Sequence, residues 1–192
     1  MIGWKPGMER EMKILNRIVR CTPEGVEYEA DQRHAEIAIR QLDVEEGNLV
    51  LTPYDDTNDN KAEDAKGRSH QDQVDGETAT IYKSVAARLN YFSPDRPDIQ
   101  FAVKEVCRRM SCPTWLDYGK LKRIGCYLVG KPRLVLKFEF QGKVDQVTVQ
   151  SDANWAGCRD TRKNTSGGCL QLGKHLVKLW SNTQHSVATS SA

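Results

Sequence analysis

Two sets of residues in this sequence have types and spacing that could do chemistry. The first is basic: Lys122, Arg123, Lys131, Arg133, Arg159, Arg162 and Lys163 could grip phosphates, as Lys and Arg do for any duplex or hybrid nucleic acid. The second is the stretch Ser151-Asp152-Ala153-Asn154-Trp155-Ala156-Gly157, followed by Thr165-Ser166-Gly167-Gly168 and Leu179-Trp180-Ser181. There Val147, Val149 and Ser151 alternate as a strand does and end at Asp152. Other chemistries find less support. Ser190-Ser191 with His185 lacks the elbow glycines and third partner of a hydrolase triad. The 6 cysteines contain no C-x-x-C pair, and the 4 histidines do not stand at ligand spacing beside them, so neither a zinc finger nor a disulfide scaffold is expected. Reduced thiols acting as small hydrophobes are the expectation.

The elements that must carry these residues change character along the chain. Residues 1–42 read as a hairpin and a helix: Ile14, Asn16, Ile18 and Arg20 alternate, Pro23-Glu24-Gly25 turns, and Val26, Tyr28 and Ala30 resume. Asp31 is the expected N-cap of a helix whose inner face is Ala35, Ala38, Ile39 and Leu42. Residues 43–78, rich in Pro, Gly, Asn and Asp, read as a flexible acidic linker. Residues 79–131 predict three helices, lined by Tyr82, Val85, Ala86 and Leu89, then by Ile99, Ala102, Val103, Val106 and Met110, then by Leu121, Ile124 and Leu128. Pro97 opens the second near its first position. From residue 132 to 192 the period turns to two, which predicts an antiparallel meander of three or four strands with a turn at Gly173-Lys174. Such a sheet, with nothing to cover its face, reads as an unfinished domain. The fold class expected is therefore α/β, helices followed by a β-meander.

Charge follows the same divisions. Residues 43–80 hold three basic against eleven acidic side chains, and residues 81–137 hold twelve basic against four acidic. The second segment can face a polyanion, because neutralised phosphates release condensed counterions. Apolar residues at 39% and charged residues at 28% fit a globular chain. No apolar run approaches the ~20 residues of a membrane span, and the start lacks the apolar core of a signal peptide, so an intracellular protein of cytoplasm or nucleus, without a membrane partner, is expected.

Taken together, the short blocks resemble one family. Ser151 to Gly157, Thr165-Ser166-Gly167 and Trp180-Ser181 are similar to the S-D-A-D-W-A-G, T-S-G and W-S signature of the ribonuclease H domain in copia-type LTR retrotransposons. Tyr82-Lys83-Ser84 and Arg96-Pro97-Asp98-Ile99-Gln100-Phe101-Ala102-Val103 resemble the Y-R-S and R-P-D-I-x-F-A-V blocks of their reverse transcriptase. Leu121-Lys122-Arg123-Ile124 and Tyr127 to Pro132 resemble the L-K-R-I-L-R-Y-L-K-G-T block that joins the two domains. Residues 10–42 look more loosely like the segment after the polymerase palm.

The resemblance implies a piece of a Pol polyprotein, from the reverse transcriptase C-terminus into a truncated ribonuclease H-like domain, whose partners are an RNA-DNA hybrid or other nucleic acid and the rest of the polyprotein. It implies Mg²⁺ as cofactor, because these hydrolases clamp the scissile phosphate with two divalent ions held by converging carboxylates. Asp152 matches the family's first catalytic aspartate and would be a metal ligand. The next ligand in the family is a Glu in an S-S-T-E type sequence, and Ser190-Ser191-Ala192 stops before it. Weak Mg²⁺ binding and no independent hydrolysis are the expectation, with a non-catalytic hybrid-binding module as the alternative and an active nuclease if the chain continues. Asp160 matches a variable loop position and is expected to be solvated. Tyr54-Asp55-Asp56 only looks like the polymerase Y-x-D-D, since it lies in the acidic linker. Trp115, Trp155 and Trp180 are expected to pack rather than to stack bases. Asn154, Cys126 and Asn164 depart from the family pattern.

Overall fold

Periodic apolar residues make the helices, and the helices make the core. In the computed structural model, which describes residues 3, 5, 7–55, 67, 69–154 and 163–185, α1 spans Arg33–Leu42, α2 Gly76–Phe92, α3 Gln100–Cys107 and α4 Trp115–Gly130. Tyr82, Val85, Ala86 and Leu89 of α2 are fully buried, as are Leu121, Ile124 and Leu128 of α4. They meet Ala35, Ala38 and Leu42 of α1 and Ala102, Val103 and Val106 of α3 in one cluster. The Tyr82 hydroxyl donates to the Val106 carbonyl at 2.6 Å, and burial pushes its phenol far above the ordinary range.

The helix ends are set by side chains. Asp75 caps α2, accepting from the Thr78 amide at 2.8 Å. Thr114 and Asp117 form a reciprocal capping box at the start of α4. Helix α1 differs from expectation by one position: Gln32 stands at its N-cap without a side-chain bond. Asp31 instead accepts from the Arg33 amide and holds the Arg33 guanidinium at 2.7 Å. Pro97 opens a short 3-10 turn, Pro97–Ile99, rather than the helix itself.

The acidic stretch is not all linker. Helix α2 begins within it, at Gly76. Val44 and Val74 are buried, and Val50 and Tyr54 pack against the core. Residues 56–66 and 68 lie outside the described residues.

The strands form two sheets. One has the order β1 (Glu11–Ile14), β2 (Arg17–Cys21), β3 (Gly25–Glu29), β4 (Val135–Glu139), and the other is β5 (Val147–Asn154), β6 (Thr165–Leu172), β7 (His175–Thr183). The expected first strand is two: Leu15 and Asn16, both at positive φ, turn the chain between Ile14 and Arg17. A leucine at positive φ carries no turn signal in sequence, which is why the alternation read as continuous. The expected meander also loses a member, because β4 joins β3. Gly25 permits this: a Cβ there would lie 2.1 Å from the Phe138 carbonyl oxygen.

The chain divides into two compact units, residues 29–134 and residues 1–28 with 135–192. Every residue of the hydrophobic core cluster belongs to the first. Within that unit the two ends of the chain are tied, since Arg133 grips Glu29 with two bonds of 2.7 Å and the Glu29 side chain is 2% exposed.

The hydrogen bond from the Arg33 guanidinium to Asp31 dominates that group's titration; the Arg33 amide and charge reinforce it, burial opposes it, and the carboxyl is held below the usual range. A depressed carboxylate contributes stability that is present above its unfolded pKa and lost as pH falls through the folded one. Unfolding measured from about pH 5 to pH 2 should therefore show the wild type losing more stability than Asp31→Asn; parallel curves would refute this role.

Candidate functional site

The ladder of the second sheet explains the spacing of the short motifs. Register pairs Ser151 with Gly168 and Gly168 with Trp180; the next row is Asp152, Gly167, Ser181. The three blocks, distant in sequence, thus lie side by side across β5, β6 and β7. Trp180 lies over Gly168, where a Cβ would fall 2.3 Å from the indole Cζ2 and 2.6 Å from the Gln150 carbonyl oxygen. Gly167 has only one neighbour at ordinary contact, the Trp180 carbonyl at 3.7 Å. The second glycine of Thr-Ser-Gly-Gly is therefore needed for close packing. The Gly173-Lys174 turn is also found, with Gly173 at φ 59° and the Lys174 amide donating to Gln141.

Asp152 lies inside β5, which runs two residues further than expected, to Asn154. Its side chain is exposed and accepts from the adjacent Ala153 amide at 2.8 Å. Its row neighbours, Gly167 and Ser181, bring no second carboxylate. Among the described residues no group of three His, Cys, Asp or Glu could hold a metal ion. The donors around Asp152 among the described residues do not fit a two-ion centre, because hard divalent cations need several converging oxygens. Trp155, Arg159, Asp160 and Arg162 lie outside the described residues, as do Ser190 and Ser191.

The basic residues fall on different supports. On α4, the Lys122 ammonium stands 5.5 Å from the Tyr118 ring centroid. Arg123 bonds the Thr52 carbonyl at 3.1 Å and its hydroxyl at 2.9 Å, and reaches Asp55 at 3.4 Å. Just past the helix, Lys131 stands 5.6 Å from the Tyr127 ring, and Arg133 is held by Glu29. Lys163, half-buried, precedes β6 in the other unit. Sequence reading missed Arg96, which is 1% exposed. Its guanidinium bonds both oxygens of Asp98 and the carbonyls of Lys131 and Pro132 at 2.7–3.2 Å. An Arg flanked by Pro and Asp in a motif was the available signal.

Trp115 packs edge-on against Tyr118, with centroids 5.9 Å apart. No described helix is long and apolar enough to cross a membrane.

Comparison with known proteins supplies what the geometry does not. No protein-family model matches the chain, and no solved structure does. An uncharacterized mitochondrial protein of Arabidopsis thaliana is 36% identical over 112 residues, 57% of this chain and 45% of that protein. Retrovirus-related Pol polyproteins from the Arabidopsis thaliana transposons RE1 and RE2 are 36% and 34% identical over 112 residues, 58% of this chain in both cases. The matched part is 8% of each polyprotein, so the chain spans only a small share of these relatives. The mixed helices and antiparallel sheets of this chain thus carry a segment shared with retroelement proteins. Over these 112 residues the chain is similar to retrovirus-related Pol polyproteins of transposons.

If Gly168 is required by the Trp180 ring, Gly168→Ala should destabilise the chain by about 1–3 kcal/mol, the usual cost of overpacking, while Gly167→Ala should change little. Denaturant titration of both variants tests this, and equal losses would contradict it.

Proposed function

We propose that this chain is a Pol segment linking the C-terminal part of a reverse transcriptase to the opening strands of a ribonuclease H-like domain, without hydrolytic turnover of its own. Residues 29–134 are then the polymerase-derived helical part, and β5 to β7 carry the ribonuclease H-like signature. The observation that carries this reading is the isolation of Asp152 among the described residues: an exposed carboxylate whose row neighbours are a glycine and a serine. One carboxylate cannot hold the two divalent ions that such hydrolysis requires. In this reading Asp152 is a residual Mg²⁺ ligand of low affinity. The partners are nucleic acid and the remainder of the polyprotein, inside the cell.

A second reading, a non-catalytic module that binds RNA-DNA hybrid, is favoured by the excess of basic side chains over residues 81–137. Lys122, Arg123, Lys131, Arg133 and Lys163 are its candidates among the described residues, with Arg159 and Arg162 added from sequence. The two readings are compatible, since a segment can hold hybrid for a nuclease centre it does not complete.

The test is cleavage of a labelled RNA-DNA hybrid by the purified chain in Mg²⁺ or Mn²⁺, beside Asp152→Asn. The expected rates are equal and at background, and the variant should melt within about 2 °C of wild type because an exposed side chain is changed. Metal-dependent cleavage that Asp152→Asn abolishes would overturn the proposal.

A further inference from the structure

The face of α4 that bears Lys120 and Arg123 is already covered, and what covers it has the chemistry of a nucleotide. Residues 49–55 lie along this helix. The Thr52 carbonyl and hydroxyl and the Asp55 carboxylate all face the Arg123 guanidinium, at 2.9–3.4 Å. Anionic and neutral oxygens around one planar fork are what a phosphodiester offers to arginine. One residue away, the Tyr54 ring lies beneath the Lys120 ammonium at 5.6 Å and meets Phe101 edge-on, with centroids 5.0 Å apart. An aromatic face presented to a cation and a second ring is what a base offers.

The segment is seated, but lightly. Val50 and Tyr54 pack against the core, and Leu49 rests on Gly130, where a Cβ would lie 3.6 Å from its Cδ2. Leu49 and Leu51 are nonetheless 67% and 89% exposed. The Arg123–Asp55 pair is partly exposed on both sides, at 25% and 26%, and such pairs contribute little. Charge along the sequence runs the same way: the acidic stretch 43–80 immediately precedes the basic stretch 81–137.

We infer that residues 49–55 are an autoinhibitory strap, an internal competitor that occupies the Lys120–Arg123 face of α4 and that nucleic acid must displace. This rests on the hybrid-binding reading above. Displacement exchanges one set of oxygens around Arg123 for another, so no buried charge is left unpaired.

The experiment is fluorescence anisotropy of the full chain with a labelled RNA-DNA hybrid of about 16 base pairs, the span of a double-stranded site, over a salt series. Wild type is compared with Thr52→Ala/Asp55→Asn and with that double variant carrying Arg123→Ala, each checked for unchanged helicity by circular dichroism. Loss of the hydroxyl and of the carboxylate charge leaves Arg123 held by the Thr52 carbonyl alone. This should tighten binding about threefold to fivefold at low salt and steepen the log–log salt slope by up to about 0.9, one added phosphate contact. Arg123→Ala should erase both changes. Should wild type bind and the double variant bind no tighter, the strap is refuted while the hybrid-binding reading stands. Should neither bind, both are refuted.

Discussion

A guanidinium cannot lose its charge inside a protein, so a buried one dictates its surroundings. Arg96 is 1% exposed, and four groups are arranged to receive it: both Asp98 oxygens and the carbonyls of Lys131 and Pro132. Asp98 in turn accepts from the Tyr127 hydroxyl at 3.0 Å, which ties the turn before α3 to the last turn of α4. The Phe92 ring, 5.6 Å from the guanidinium carbon, closes the other side. The Arg-Pro-Asp-Ile block is thus an architectural device. It fixes where α4 ends and where the chain leaves the helical unit, beside the Glu29–Arg133 bridge where the chain enters it.

Among the described residues the C-terminal sheet has no comparable anchor. Every residue of β5 is exposed, including Val147 at 61% and Val149 at 57%. No apolar side chain of β4 to β7 is among the buried residues. What holds the sheet is its ladder, the seat of Trp180 on Gly168, and the Gln141 side chain, which bonds the Leu172 carbonyl and the Lys174 amide at 3.0 Å. The short sequence blocks therefore meet through register, with Ser151, Gly168 and Trp180 in one row. The row that holds Asp152 adds only Gly167 and Ser181 beside it. A sheet must bury one face against another layer to be a stable domain, and this one exposes both candidates for catalysis and for packing on the same strand.

Much of the helical part was legible because its signal is local. Tyr82, Val85, Ala86 and Leu89 fall at helical spacing, and no competing turn residue interrupts them. The strands were legible as alternation but not as partners. Nothing near Val135 in sequence says that β4 will lie beside β3, a choice made by the open backbone at Gly25. Leu15 hid a turn because leucine is a poor residue for positive φ. The segment 49–55 read as linker because Pro53, Asp55 and Asp56 dominate its composition, whereas Val50 and Tyr54 decide its placement. Charge was the least legible of all. Arg123 and Arg133 read as free to meet phosphates, yet their partners, Asp55 and Glu29, lie far away in sequence.

Stability is divided between a helical unit that holds the hydrophobic core and a strand bearing Asp152 whose residues are all exposed. Hydrogen exchange of the intact chain, followed by mass spectrometry, reads this division directly, since amides in a well-packed core open only near the global free energy. Amides of α2 and α4 should exchange slowest, and those of β5 and β6 well before them. Equally slow exchange in the β5–β6 ladder would contradict the account, because it would mean that this sheet is covered and stabilised as a finished domain.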